Sequence, residues 1–421
     1  AQLIQESAIK DFNLLAKGSA SFDWKVQVPM DYSAITYRFI AEGEKHSDGE
    51  EDVLPVLSNR MMVLEIMPFA ITKEKEKTFE FDRMKTVTSS STAVPHALTL
   101  EFTANPIWYA VQAMPYMMEY PYDCSEQVFT RFYANTLATS IIKDRPRLRE
   151  VINTWKDLSP DAFLSNLEKN QELKYVILEE TPWVMEAKNE SERKKRLSLL
   201  LDMNHMADRQ KSALDKLIQN QDPSGGWPWF DGMRPSVYIT QYILGGLGHL
   251  KQLGILDSSD PKLQQCIANA ITFLDEEHLR SFREMKKYSS NWIKEDHTGP
   301  FEIHYLYTRS FFMEQNLQNW DAFNYYKGQA AEYWLNKGVY MQGMSALALN
   351  RLEQKEVAVR IMKSVKEQSM MDEALGMYWK DQPSGWYWYE AGIERHALMV
   401  EAFSEIMQDN DAVYGLKQWL I

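Results

Sequence analysis

Two stretches, DPSGGWPWFDGMRPSVYITQYILGGL at 222–247 and DQPSGWYWYEAGIERHALMVEAF at 381–403, follow one plan. Each opens with Pro-Ser-Gly, sets two tryptophans one residue apart (Trp227 and Trp229; Trp386 and Trp388), and continues through a short connector into apolar residues at helical spacing. A turn followed by an amphipathic helix, met more than once along a chain, is the pattern of helical hairpins that stack or close into a ring. Such tryptophans read first as core plugs, because a large apolar ring with one N–H packs well at a helix start, and second as the lining of a pocket.

Working outward, helical periodicity begins after Pro106. The segment PIWYAVQAMPYMMEYP starts with a proline suited to a first helical turn, and Val128, Phe129, Phe132, Tyr133, Leu137 and Ile141 recur at helical spacing. Helices joined by Gly, Pro and Asp turns continue to the end, and that length of helix predicts a closed α/α toroid rather than an open array. Before residue 106 the period is two: Phe22, Trp24, Val26 and Val28 alternate with polar residues, as do Ile35, Tyr37 and Phe39. These segments, with RMMVLEIM, KTFEFDRM and ALTLEFT, predict strands of a small or partial β-sandwich. The acidic run EGEKHSDGEED reads as a connection between them, and KEKEK as a solvated strand end or loop. The expected organisation is a β-sandwich segment over 1–105 and a mainly α domain over 106–421.

The composition, 45% apolar and 25% charged over 421 residues, is that of a globular chain able to bury a large core. A net charge of −13, without a stripe of basic and aromatic residues, argues against nucleic acid as a partner. No apolar run reaches a spanning length, so no membrane contact is expected of this segment. The N-terminus carries neither an initiator Met nor a signal-peptide pattern, and the chain reads as a mature or excised piece of something longer. Two cysteines, Cys124 and Cys266, allow at most one disulfide.

Cys124 lies in YPYDCSEQVFTRFYANTLA, 120–138. Asp123 reads as an N-cap with Glu126 completing a capping box, which puts Cys124 at the first helical position and Gln127 one turn on, on the same face. Bare N–H groups and the dipole at a helix start favour negative charge, and with it a nucleophilic sulfur. The carboxamide of Gln127 is the electrophile within reach. Attack with loss of ammonia would make an internal thioester, which persists only where the fold excludes water. The same spacing also fits an inert, buried cysteine.

The block Tyr-Pro-Tyr-x-Cys-x-Glu-Gln resembles the thioester segment of the α2-macroglobulin and complement family, in particular of its bacterial members. GGWPWFDG with its following helix and GWYWYEAGIERHALMVEAF are similar to further blocks of that domain, and VPMDYSAITYRFIAEGE and LPVLSNRMMVLE to the β-segments before it. The resemblance implies an α/α-toroid thioester domain inserted in a β-sandwich of the CUB type, within a longer inhibitor that traps proteases. Cys124 would be the thioester sulfur and Gln127 the acyl carbon that ends on a lysine amine of the target protease. Tyr122, Asp123, Ser125 and Glu126 would frame the bond, and Tyr120, Trp227, Trp229, Phe230 and Thr240 would line its pocket. Some complement members carry a histidine that aligns with Thr240; its absence here implies direct attack by amines. Animal members usually have Gly where this chain has Asp123. The other expected partners are the remaining macroglobulin domains of the parent chain, and the expected location is the bacterial cell envelope, periplasmic or extracellular. No cofactor and no metal is expected, and the activity implied is that of a single-turnover trap rather than an enzyme.

Two alternatives stay open at this level. A carbohydrate-active enzyme on an α/α toroid would use paired carboxylates near aromatics, with Asp231, Glu390 and Glu394 as candidates. A binding or scaffold domain would carry Cys124 as an inert side chain. His249, His278, His297, His304 and His396 match no metal-ligand spacing, with or without Cys266, and read as satisfied core or surface groups.

Overall fold

The computed structural model describes residues 2–3, 7–28, 34–56, 63–67, 69, 71, 76–90, 93, 95, 97–98, 100, 102, 114, 116–118, 122–147, 150, 203–317, 319–373, 375–380 and 388–420. The protein is mainly helical with a small β part, and it divides into two compact units, Ala1–Pro95 and His96–Ile421, a boundary ten residues before the expected 105/106.

In the first unit β1 (Gln2–Leu3) pairs antiparallel with β2 (Val26–Gln27), and β3 (Ala34–Glu42) with β4 (Ser47–Pro55). The β3–β4 register runs from Ala34 opposite Pro55 to Glu42 opposite Ser47, so of the acidic run expected to be a connection only residues 43–46 connect, and 47–52 are strand. Its side chains are exposed throughout, which removes the alternation that marks a half-buried strand; Arg38 pairs with Glu51 directly across the ladder. The segment KTFEFDRM is not a strand, since α1 (Asp82–Ser89) takes up its end. The described residues of RMMVLEIM and ALTLEFT are likewise outside any strand. Aromatic rings run from Phe12 through Phe22 and Trp24 to Phe39 at centroid spacings of 5.7, 6.2 and 5.2 Å.

The second unit is two layers of helices. In the first lie α2 (Ser125–Asp144), α4 (Val237–Gln252), α6 (Pro300–Ser310), α8 (Val339–Arg351) and α10 (Gly392–Ala402), each packed on the next. Over them lie α3 (Met203–Gln219), α5 (Pro261–Tyr288), α7 (Trp320–Glu332), α9 (Lys355–Glu367) and α11 (Asn410–Leu420), each against its own partner. A short hairpin, β5 (Met370–Asp372) with β6 (Gly376–Tyr378), joins α9 to the region before α10. Most of PIWYAVQAMPYMMEYP, and Trp386 of the second tryptophan pair, lie outside the described residues.

Local chemistry accounts for the helix starts. Ser236 caps α4 by accepting the Ile239 N–H; Asp260 caps α5 just ahead of Pro261; Asn319 caps α7 by accepting the Ala322 N–H. The Glu302 carboxylate reaches back to the Gly299 N–H at 2.8 Å to hold the start of α6. First-layer helices are buried on most faces: α8 buries Val339 and an unbroken run from Met341 to Leu349. Second-layer helices bury one stripe, as Ala358, Ile361, Met362 and Val365 do in α9.

Ring contacts join the N-terminal ends of α4, α6 and α8 with the turn before α10 (Tyr238, His304, Tyr340, Trp388). Polar contacts join their C-terminal halves (His249, Tyr307, Arg351, Glu401). The first-layer helices therefore run in one direction, and the layer has an aromatic end and a charged end. Cys124 opens α2 at the aromatic end.

Candidate functional site

Cys124 is the N-cap of α2, with extended backbone, and Ser125 is the first helical residue. This corrects the expected cap: Asp123 stands one residue outside the helix and makes no capping bond. Its carboxylate instead pairs with Arg131 at 2.8 Å and with Lys216 of α3; these two partners hold it below the usual carboxylate range. Two cations drawn from α2 and α3 compete better for an exposed carboxylate than the neutral N–H groups of the next turn. The shift by one residue puts Cys124 at the N-cap and Gln127 at N3, the two positions that a capping box links.

The turn is largely closed to water. Cys124 is buried and Ser125 has no exposure at all. The Ser125 N–H donates to the Trp229 carbonyl at 2.9 Å, and the Cys124 carbonyl accepts from Val128 at 2.9 Å. Two polar atoms here are buried without a partner: Ser125 Oγ and Gln127 Oε1. Leaving such an atom unpaired costs about 1–3 kcal/mol. Glu126 directs one carboxylate oxygen to the Cys124 thiol, 3.9 Å away, and the other to Thr130 at 3.1 Å and Tyr242 at 3.4 Å. Tyr122 is exposed, and its carbonyl accepts from Arg131 at 3.0 Å.

The expected pocket residues separate into two groups. Trp227 is fully buried, its indole N–H on the Leu217 carbonyl at 2.8 Å. Thr240 is buried beneath the same loop, where its hydroxyl accepts the Trp227 N–H at 2.9 Å and donates to the Ser236 carbonyl at 2.8 Å. Both shape the loop. Trp229 and Phe230 are exposed at its outer edge, 40% and 56%, beside the turn that carries Cys124. Tyr120 lies outside the described residues.

Sequence reasoning missed the residues that join the two tryptophan blocks. Tyr238 stacks on Trp229 at 5.9 Å and meets Trp388 at 5.6 Å, and Trp388 also meets His304 at 5.0 Å and Tyr340 at 5.7 Å. Tyr242, one turn after Tyr238, sits edge-on to Phe129 of α2 at 5.9 Å. Its hydroxyl is pushed up to about 12, chiefly by burial, and stays a donor. The i,i+4 spacing of Glu126 with Thr130, and of Tyr238 with Tyr242, was the available signal.

The other candidates fall elsewhere. Asp231 and Glu394 are exposed, and the side chain of Glu390 is outside the described residues. Among the described residues no group of three or more His, Cys, Asp or Glu side chains could hold a metal ion. His278 stacks flat on Tyr305 at 3.9 Å and His396 on Trp419 at 3.5 Å; burial lowers each to about 4. Cys266 is buried in α5, its thiol pushed up to about 11 by burial and by Asp260. No described helix is long and apolar enough to cross a membrane. No protein-family model and no curated protein matches the chain.

Proposed function

We propose that this chain is the thioester-bearing segment of a bacterial α2-macroglobulin-like protease inhibitor, in which Cys124 and Gln127 form an internal thioester that captures amines of a target protease. The observation that carries the reading is a buried N-cap cysteine, Cys124, followed at N3 by a glutamine, Gln127, whose carboxamide oxygen is buried without a hydrogen-bond partner. A lysine amine would attack the acyl carbon contributed by Gln127, forming an amide to the protease while Cys124 departs as a thiol. Holding the target beside the bond supplies a high effective concentration, so modest reactivity is enough for a single capture.

The fold belongs to the same reading. The two helical layers are proposed to close into an α/α toroid, and the first unit to be part of a CUB-type sandwich, with macroglobulin domains of a parent chain in the cell envelope as its neighbours. Of the carboxylates that the carbohydrate-active alternative named, Asp231 and Glu394 are both exposed.

Intact mass tests the proposal. Protein kept from amines before measurement is expected to weigh one ammonia less than its sequence. Methylamine should then add its own mass and free one thiol, and Cys124→Ala should abolish both changes while Cys266→Ala keeps them. A full sequence mass, with Cys124 equally reactive before and after methylamine, would overturn it in favour of an inert cysteine in a binding domain.

A further inference from the structure

An amide yields to a thiol only if the nucleophile loses a proton and the departing nitrogen gains one. Glu126 stands where it can make the first transfer, and as the residue next to Gln127 in the same turn it is the carboxylate on hand for the second. Its Oε2 accepts from the Cys124 thiol at 3.9 Å, while Oε1 is held by the hydroxyls of Thr130 at 3.1 Å and Tyr242 at 3.4 Å. Those hydroxyls, themselves 3.3 Å apart, leave the second oxygen aimed at sulfur. In the same turn Ser125 Oγ is an unspent donor in a fully buried residue, and Gln127 Oε1 an unspent acceptor.

We infer that Glu126 is the proton shuttle of the thioester, an inference that rests on the reading of Cys124 and Gln127 above. As Sγ bonds to the Gln127 carboxamide carbon, Glu126 takes the thiol proton and the C=O electron pair moves onto Oε1. When that oxyanion collapses, the C–N bond breaks and Glu126 returns the proton to the leaving nitrogen. The products are one thioester and one ammonia. In capture the order reverses: Glu126 takes a proton from the attacking amine, the C–S bond breaks, and the departing sulfur receives that proton. Thr130 and Tyr242 are positioning residues, acting through the carboxylate.

The test uses the full chain with Glu126→Gln, Glu126→Ala and Tyr242→Phe. Wild type is expected to carry the thioester, and Glu126→Gln to acquire it about 10²-fold more slowly or not at all, the usual scale for a lost general base. Added acetate should partly restore formation in Glu126→Ala, which vacates the space of the carboxylate, a response that a merely structural carboxylate would not give. Tyr242→Phe should keep the thioester but capture methylamine more slowly, with a displaced pH–rate profile. Should Glu126→Gln fail to fold by circular dichroism, the Tyr242→Phe profile decides, and an unchanged profile overturns the inference. A Glu126→Gln protein that forms the thioester fully and captures methylamine at the wild-type rate overturns it while leaving the thioester reading intact. Absence of the thioester from wild type overturns that reading itself.

Discussion

The backbone N–H of Ser125 donates to the carbonyl of Trp229 at 2.9 Å, tying the turn that carries Cys124 to the loop between α3 and α4. The first four N–H groups of a helix have no intrahelical partner, and here a distant loop supplies one. That loop keeps its shape because Trp227 is fully buried beneath it and Thr240 holds the Trp227 N–H.

Trp227→Ala is therefore expected to cost roughly 3–5 kcal/mol, the range for losing a large buried ring. Trp229→Ala keeps the carbonyl and removes a ring that is 40% exposed, so its cost should be clearly smaller. Urea unfolding separates the two. If Cys124 carries the thioester, Trp229→Ala should also release its thiol to water faster than wild type.

The adjacent glycines of α4 should respond in opposite senses. A Cβ on Gly246 would lie 2.4 Å from the Phe129 ring, so Gly246→Ala must part α4 from α2 and is expected to cost about 1–3 kcal/mol. A Cβ on Gly245 meets nothing closer than Thr308 Oγ1 at 3.7 Å, and Gly245→Ala should be neutral or stabilising by up to about 1 kcal/mol from helix propensity. Thermal unfolding of the two variants checks the sign.

At the charged end of the first layer Arg351 pairs with Glu401 at 2.6 Å and with Glu405, which projects from the wide turn Phe403–Met407. Burial alone would raise the Glu401 carboxyl, but His249, Arg351 and Tyr307 together hold it at about 2. Its contribution is therefore present above about pH 4.5 and lost as pH falls toward 2. Arg351→Met should cost at the lower end of the roughly 3–5 kcal/mol for breaking a buried pair, since both carboxylates keep some exposure. The variant should also lose less stability than wild type between these pH values, measured as urea midpoints.

Burial depresses His278 and His396 to about 4 and His304 to about 3, below the unfolded value of 6.5. The unfolded chain takes up protons first, so stability is complete above about pH 6.5 and declines as pH falls toward 4. His396→Phe retains a ring against Trp419 and removes one such proton. Its urea midpoint should fall less between pH 7 and pH 5 than that of wild type; an equal fall would mean that His396 does not contribute.

Much of the helical unit was legible because helix starts and turns are local. Pro and Gly at the turns and the 3.6-residue period depend on residues within a few positions of each other. The β part was less legible for a physical reason. Strand β4 is exposed on both faces and acidic, so it shows no alternation, and its pairing with β3 is carried by backbone hydrogen bonds that any side chain permits.

By itself the sequence determined that Cys124 and Gln127 would lie three residues apart across the start of a helix, since that follows from spacing and periodicity alone. Only the tertiary structure decided which residue caps that helix, because Lys216 reaches Asp123 from another helix and draws it away from the N–H groups. It also brought Tyr242 to Glu126 across 116 residues of chain and set Tyr238 between Trp229 and Trp388. Such contacts depend on how helices pack against one another, and a local pattern carries no record of which distant side chain will fill the space beside it.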